Sequence, residues 1–259
     1  MLTDAPIDLV AFDLDDTLAP SKSPLPPQVA QLLTALLERT QVCVISGGQY
    51  QQFRDQVLER LDLDDDAARR LHLMPTCGTQ YFTWDGETFT TVYARTLTAD
   101  ERDRAMRALE EQAKALGLWE TETWGPVLED RGSQITFSAL GQAAPVDAKA
   151  AWDPTGERKG RLRDAVAALL PDLEVRSGGS TSVDITRRGV DKAYGMKALE
   201  EQTGVPLANM VFVGDRLDEG GNDRPVLDLG VRCHAVGGWE DTADYLAETL
   251  IPYLDSARS

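Results

Sequence analysis

Val10-Ala11-Phe12-Asp13-Leu14-Asp15-Asp16-Thr17-Leu18 is an apolar run that stops at three closely spaced carboxylates and a hydroxyl. An apolar stretch of this length ending in acids predicts a buried strand of a parallel sheet, and open α/β folds place their ligands at the carboxyl ends of such strands. Acids there do nothing for a core. A carboxylate there can attack phosphorus once a divalent cation offsets the repulsion between two anions. Magnesium suits the task because it takes oxygen ligands, keeps waters and accepts a phosphate oxygen. Asp13 is then the candidate nucleophile and metal ligand. Asp15, two residues on, is the group that protonates the leaving oxygen and later activates water. Read alone, the stretch also fits a polar loop that caps the next element.

Two further apolar runs end in the same manner. Val42-Cys43-Val44-Ile45 stops at Ser46-Gly47-Gly48, and Met210-Val211-Phe212-Val213 stops at Gly214-Asp215; between them lies Gly189-Val190-Asp191-Lys192. Singly, Ser46 reads as a helix cap, Lys192 as a solvated side chain and Asp215 as a capping acid. Over the first eighty residues, strands at 7–14, 42–46 and 71–76 alternate with helices at 27–39 and 50–61, the pattern of a parallel sheet. The middle differs. It reads as a hairpin over 81–89 turning at Asp85-Gly86, a helix over 98–117, a strand pair over 127–140, a helix over 155–170 and strands over 173–186 around Gly178-Gly179. Alternation resumes with a helix over 191–203, the strand from Met210, a strand over 230–236 and a helix over 240–250. The expected fold is α/β, a Rossmann-like core of residues 1–81 and 187–259 with an inserted α+β cap of residues 82–186.

A chain of 259 residues can bury a sizeable core and suits two domains. Its 43 acidic against 26 basic residues, a formal charge of −17, argue against nucleic acid or an anionic membrane as partner. No apolar stretch approaches the roughly 20 residues a spanning helix needs, and the start lacks a charged, apolar leader pattern, so a cytoplasmic location is expected. Cys43, Cys77 and Cys233 are odd in number and far apart, which disfavours a disulfide framework. His72 and His234 are too isolated for a zinc site, and Asp62-Leu63-Asp64-Asp65-Asp66 reads as a solvated helix end.

Asp13-Leu14-Asp15-Asp16-Thr17, Ser46, Lys192 and Gly214-Asp215, in that order, resemble the four motifs of the haloacid dehalogenase (HAD) superfamily. The resemblance implies that Ser46, with Gly47 beside it, binds the phosphoryl group and that Lys192 neutralises nucleophile and phosphate. It further implies that magnesium is held by Asp13, the Asp15 backbone carbonyl and Asp215, with Asn222 and Asp223 as supports. The insertion between the second and third motifs resembles the superfamily's larger cap, and the nearest branch is the eukaryotic-type phosphomannomutases. The run Glu129-Asp130-Arg131-Gly132-Ser133-Gln134-Ile135-Thr136-Phe137-Ser138-Ala139-Leu140-Gly141-Gln142 follows that branch's Glu-Phe-Arg-Asn-Gly-Met-Leu-Asn-Val-Ser-Pro-Ile-Gly-Arg pattern without a gap. Ser177 to Asp184 is similar to its sugar-contacting strand, and Gly220-Gly221-Asn222-Asp223 to its signature after Gly-Asp.

A mutase holds a sugar bisphosphate, so a second cationic cradle is needed for the far phosphate, best made of arginines. Arg131 matches the first of them, but the second position is Gln142 and the third Lys149. Ser182 and Asp184, two apart on a strand, share a face suited to sugar hydroxyls. The branch's hinge Asn-Gly is Cys77-Gly78 here, and its Phe-Pro after the sugar strand is Thr186-Arg187. Loss of an arginine favours hydrolysis, with Arg176, Arg187 and Arg188 as the candidates to compensate. The expected activity is a magnesium-dependent phosphatase acting on a small phosphorylated sugar or related metabolite through an aspartyl-phosphate. The alternatives are a hexose-phosphate mutase with the same nucleophile and a catalytically silent metabolite-binding module. A monomer or a homodimer is expected.

Overall fold

The computed structural model describes residues 6–257. It divides into two compact units, residues 1–94 with 191–259, and residues 95–190. Along the chain the strands are β1 (Leu9–Phe12), β2 (Gln41–Ile45), β3 (Leu71–Met74), β4 (Gln80–Trp84), β5 (Phe89–Ala94), β6 (Leu128–Asp130), β7 (Gln134–Ser138), β8 (Leu173–Ser177), β9 (Ser182–Arg187), β10 (Met210–Gly214) and β11 (Arg232–Ala235).

In the first unit seven strands form one sheet in the order β11-β10-β1-β2-β3-β4-β5. β11, β10, β1, β2 and β3 are mutually parallel, as the alternation predicts. The central strands read as continuous apolar runs because both of their faces are buried. Val10, Phe12, Val42, Val44, Val211 and Val213 pack to one side, and Leu9, Ala11, Cys43, Ile45, Met210 and Phe212 to the other. The helices Pro27–Leu37 and Trp239–Tyr245 cover the first side through Leu33, Leu36 and Ala243. The helix Lys192–Thr203 covers the second through Met196 and Leu199.

The insertion starts later than the sequence predicts. The hairpin β4–β5, expected as the first element of the cap, pairs antiparallel with β3 through Leu73 and Phe82 and lengthens the first sheet. Tyr81 and Phe82 are buried there, and the Phe82 ring stacks on Tyr50 with centroids 4.0 Å apart. The second unit therefore spans 95–190 rather than 82–186. A hairpin pattern is local; which sheet it extends depends on the partner its apolar face finds.

The second unit has a four-stranded antiparallel sheet in the order β6-β7-β9-β8. Alternation gives it an apolar face of Ile135, Phe137, Val183 and Ile185, covered by Ala105 and Leu109 of the helix Ala99–Ala115 and by Leu162 and Val166 of the helix Glu157–Leu169. The other face carries Gln134, Thr136, Ser138, Ser182 and Asp184. Thr98 and Glu101 close a capping box at the start of Ala99–Ala115. No element was expected over the helix Val146–Trp152, which holds Lys149.

Where the sequence predicts β3 running to residue 76, the chain instead folds into a tight turn, Pro75–Gly78. Thr76 and Cys77 have φ of 49° and 55°, and Gly78 follows at 82°. A β-branched residue in this region costs on the order of 1–3 kcal/mol, and the surroundings must hold it there. The Thr76 N–H donates to Gly48 O at 2.9 Å, and the Cys77 N–H to Ser46 O at 2.9 Å. Gly195, in the first turn of Lys192–Thr203, lies against the turn; a Cβ there would stand 2.3 Å from Ile45 Cδ1 and 2.8 Å from Cys77 O. Gly195→Ala should therefore destabilise by about 1–3 kcal/mol through overpacking against backbone. A urea midpoint equal to the wild type's would remove this account of the close approach.

Candidate active site

β1, β2 and β10 lie side by side and parallel, so the residues that follow them emerge at one edge of the sheet. Asp13 follows β1, and its N–H donates to Val213 O at 3.0 Å, continuing the ladder one residue past the strand. Ser46 follows β2 and Asp215 follows β10. Lys192 is the first residue of its helix, whose start is set by Asp191 accepting the Tyr194 N–H at 2.9 Å. All of these belong to the first unit.

Lys192 is 1% exposed and far from solvated: its Nζ lies 2.5 Å from Asp13 Oδ1 and 2.5 Å from Asp223 Oδ1. Burial alone would depress the ammonium's pKa, but the two carboxylates outweigh it and hold the pKa above its ordinary value. Asp13, itself 4% exposed, goes the other way. Burial raises its carboxyl from 3.8 to about 8, with Lys192 opposing the rise and Asp223 adding to it. Asp215 is half-buried and raised for similar reasons, burial first and then Asp223.

Asp13, Asp215 and Asp223 offer carboxylate oxygens within 4.8 Å of one another. Three anionic oxygens with too little positive charge suit a hard divalent cation that takes oxygen ligands. Asp223 is drawn further in than the sequence implies. It is 0% exposed, Oδ1 meets Lys192 and Oδ2 accepts the Arg216 N–H at 3.1 Å. Asn222, its neighbour, is exposed. Thr17, fully buried, donates to Asp215 Oδ1 at 3.4 Å, while its own carbonyl accepts the Thr242 hydroxyl at 2.7 Å.

Ser46 is buried, and its Oγ accepts the Gly48 N–H at 3.1 Å, with the half-buried Gly47 between them. The Asp15 carboxylate is held on both sides. Oδ1 accepts the Lys22 N–H at 2.6 Å and Oδ2 accepts Gln52 Nε2 at 3.0 Å. Gln52 was not singled out from the sequence, and Thr17 only as the hydroxyl that ends the first motif. Their bonds cross 37 and 198 residues, and no local pattern encodes a pairing of that span.

Within the second unit, Arg131 is largely buried and gives Nε and Nη2 to Glu129 Oε2 at 3.2 and 2.7 Å. The Lys149 ammonium donates to the Gln142 carbonyl at 2.7 Å. Asp184 accepts the Thr136 hydroxyl at 2.7 Å, Thr136 in turn accepts Gln134 Nε2 at 2.9 Å, and Ser182 lies opposite Ser138 on the same face. Arg176, Arg187 and Arg188 bind within their own unit, to Val190 O, Glu101 and Pro171 O respectively. Cys43 is buried in the core, while Cys77 and Cys233 are half-buried. Asp64 caps the short helix Asp65–Arg69, so the acid-rich segment is an exposed helix start. Among the described residues no helix is long and apolar enough to cross a membrane.

Known proteins of the same build extend this picture. The fold matches an IMP-nucleotidase of Plasmodium falciparum with a TM-score of 0.71 at 15% identity, over 96% of this chain and 67% of that one. It also matches a haloacid dehalogenase-like hydrolase from Bacteroides thetaiotaomicron with a TM-score of 0.61 at 14% identity, over 94% and 100%. In sequence the chain is 24% identical to Phosphomannomutase 1 of Homo sapiens over 257 residues, covering 94% of this chain and 92% of the relative. It is 25% identical to the phosphomannomutase of Saccharomyces cerevisiae, covering 94% of each. Residues 123–252 match the family profile described as Eukaryotic phosphomannomutase. With the Asp13 motif, the buried lysine and the acidic run in this order on a HAD fold, the chain belongs to the eukaryotic phosphomannomutase family of the HAD superfamily.

Proposed function

We propose that this enzyme is a magnesium-dependent phosphatase acting on a small phosphorylated sugar or related metabolite. An Asp13 carboxylate oxygen attacks phosphorus and the bond to the leaving oxygen breaks, with Asp15 supplying that oxygen's proton. Asp15, now a carboxylate, takes a proton from water, which attacks the aspartyl-phosphate, releases inorganic phosphate and regenerates Asp13. Ser46 and the Gly47 backbone hold phosphoryl oxygens, and Lys192 offsets charge on Asp13 and on the phosphoryl group. Asp13 and Asp215, with the Asp15 carbonyl, would hold the magnesium, and Asp223 would anchor Lys192 beside them. When bound, the cation would supply charge neutralisation and would polarise a phosphoryl oxygen.

The observation that carries hydrolysis over transfer is the state of the cationic positions in the second unit. Gln142 is neutral, and Lys149 is drawn to the Gln142 carbonyl. Replacing one arginine by glutamine removes a charge-assisted pair worth about 1.5–3 kcal/mol. A bisphosphate is then held more weakly before its second transfer, and water competes better. Ser182 and Asp184, on the polar sheet face, are the candidates for sugar hydroxyls.

The family's name favours a second reading, interconversion of hexose 1- and 6-phosphates through the same aspartyl-phosphate. Incubation with a hexose 1-phosphate, with and without a hexose bisphosphate, separates the two. Release of free phosphate as the main product is expected. Isomerised hexose 6-phosphate as the main product would replace the phosphatase by a mutase.

A further inference from the structure

Gln52 lies on the short helix Tyr50–Gln56, which follows directly from the Ser46-Gly47-Gly48 loop. Its amide nitrogen donates to Asp15 Oδ2 at 3.0 Å and to Gln56 Oε1 at 3.2 Å. Both amide protons therefore have acceptors, which sets the orientation of the group. Its amide oxygen occupies the place a side chain on residue 48 would need: a Cβ on Gly48 would stand 2.1 Å from Gln52 Oε1. The same Gly48 gives its N–H to Ser46 Oγ at 3.1 Å.

The other Asp15 oxygen is held by the Lys22 N–H at 2.6 Å, and Lys22 has φ of 57°, outside the range most residues prefer. The loop carrying Lys22 is tied to the Gln52 helix a second time, through the Leu25 N–H to Gln56 O at 2.9 Å. One helix thus sets both sides of the Asp15 carboxylate, directly through Gln52 and indirectly through the loop.

We infer that Gln52 is a positioning residue: it orients Asp15 for proton delivery to the leaving oxygen and seats it at a fixed distance from the Ser46 loop. The inference rests on the acid and base role given to Asp15 above. A neutral amide suits this task, because it fixes a carboxylate by hydrogen bonding without pairing it with a full charge. It also links the length of the side chain at position 52 to the absence of one at position 48.

Leaving-group dependence provides the test. An alkyl phosphate needs its leaving oxygen protonated, whereas the p-nitrophenolate of p-nitrophenyl phosphate departs without a proton. kcat/KM reports the first transfer, so it isolates the acid from the later hydrolysis. The probes are p-nitrophenyl phosphate and whichever hexose phosphate the wild type turns over fastest. Gln52→Ala and the nearly isosteric Gln52→Glu should each lower kcat/KM for the hexose phosphate about tenfold or more, and for p-nitrophenyl phosphate by less than about threefold.

A purely structural role would lower both substrates together, and that result, or no loss in either, would overturn the inference. The Glu variant keeps the packing, so its loss cannot be assigned to a cavity, and thermal melts of both variants report any folding defect. Asp15→Asn separates the two levels. If Asp15→Asn leaves the ratio of the two substrates unchanged, the acid role itself falls. If it collapses the ratio while both Gln52 variants preserve it, only the role of Gln52 falls.

Discussion

Asp13→Asn should abolish turnover, by on the order of 10⁴-fold or more, because it removes the only carboxylate at the end of β1 that Lys192 contacts. The asparagine keeps the size of the side chain and can still accept from the Lys192 ammonium, so the fold should persist. The same variant checks the electrostatics. With the Asp13 carboxyl raised to about 8 by burial, the metal-free folded protein keeps a proton that the unfolded chain releases near pH 4. The folded state then binds more protons than the unfolded one, so this group works against folding progressively as pH rises from about 4 to about 8. Asparagine does not titrate. In chelator, the stability of Asp13→Asn relative to wild type should therefore increase from pH 5 to pH 8. Urea midpoints that differ by the same amount at both pH values would mean the carboxyl is not raised, and retained turnover would end the nucleophile assignment.

Lys192→Met is expected to cost the most stability. The methionine fills most of the space, but it leaves Asp13 and Asp223 buried together with no cation between them. Removing one partner of a buried ion pair costs about 3–5 kcal/mol, because the uncompensated charge stays behind. Here two acids lose the same partner, so the loss at pH 8 should reach the upper end of that range. Magnesium should restore part of it, since a cation supplies some of the missing charge. Activity should fall by at least about a hundredfold, as expected when a preorganised charge near the phosphoryl group is lost. A loss below about 1 kcal/mol at pH 8 in chelator would show that the lysine does not neutralise this cluster.

The sequence already determined the strand ends of the first unit. An apolar run buried on both faces is unmistakable, and when it stops at Asp13, Ser46 or Asp215 the stop marks the carboxyl edge of a parallel sheet. The spacing of Ser182 and Asp184 likewise put both on one face of β9, the polar one. These features rest on the periodicity of strands and helices, which is local and survives without tertiary information.

Other features were decided only when distant segments met. The β4–β5 hairpin looks the same whether it extends one sheet or begins another, and its apolar side chose β3. The burial of Lys192 between two acids and the hold of Gln52 on Asp15 join residues 31 to 179 positions apart. The left-handed turn at Thr76-Cys77 is likewise imposed by the Gly48 and Ser46 carbonyls that fix it. Local preference sets which strand a residue ends and which face it takes. The partner and charge state of a buried group depend on what the rest of the chain places within a few ångströms, where low dielectric makes each such contact strong.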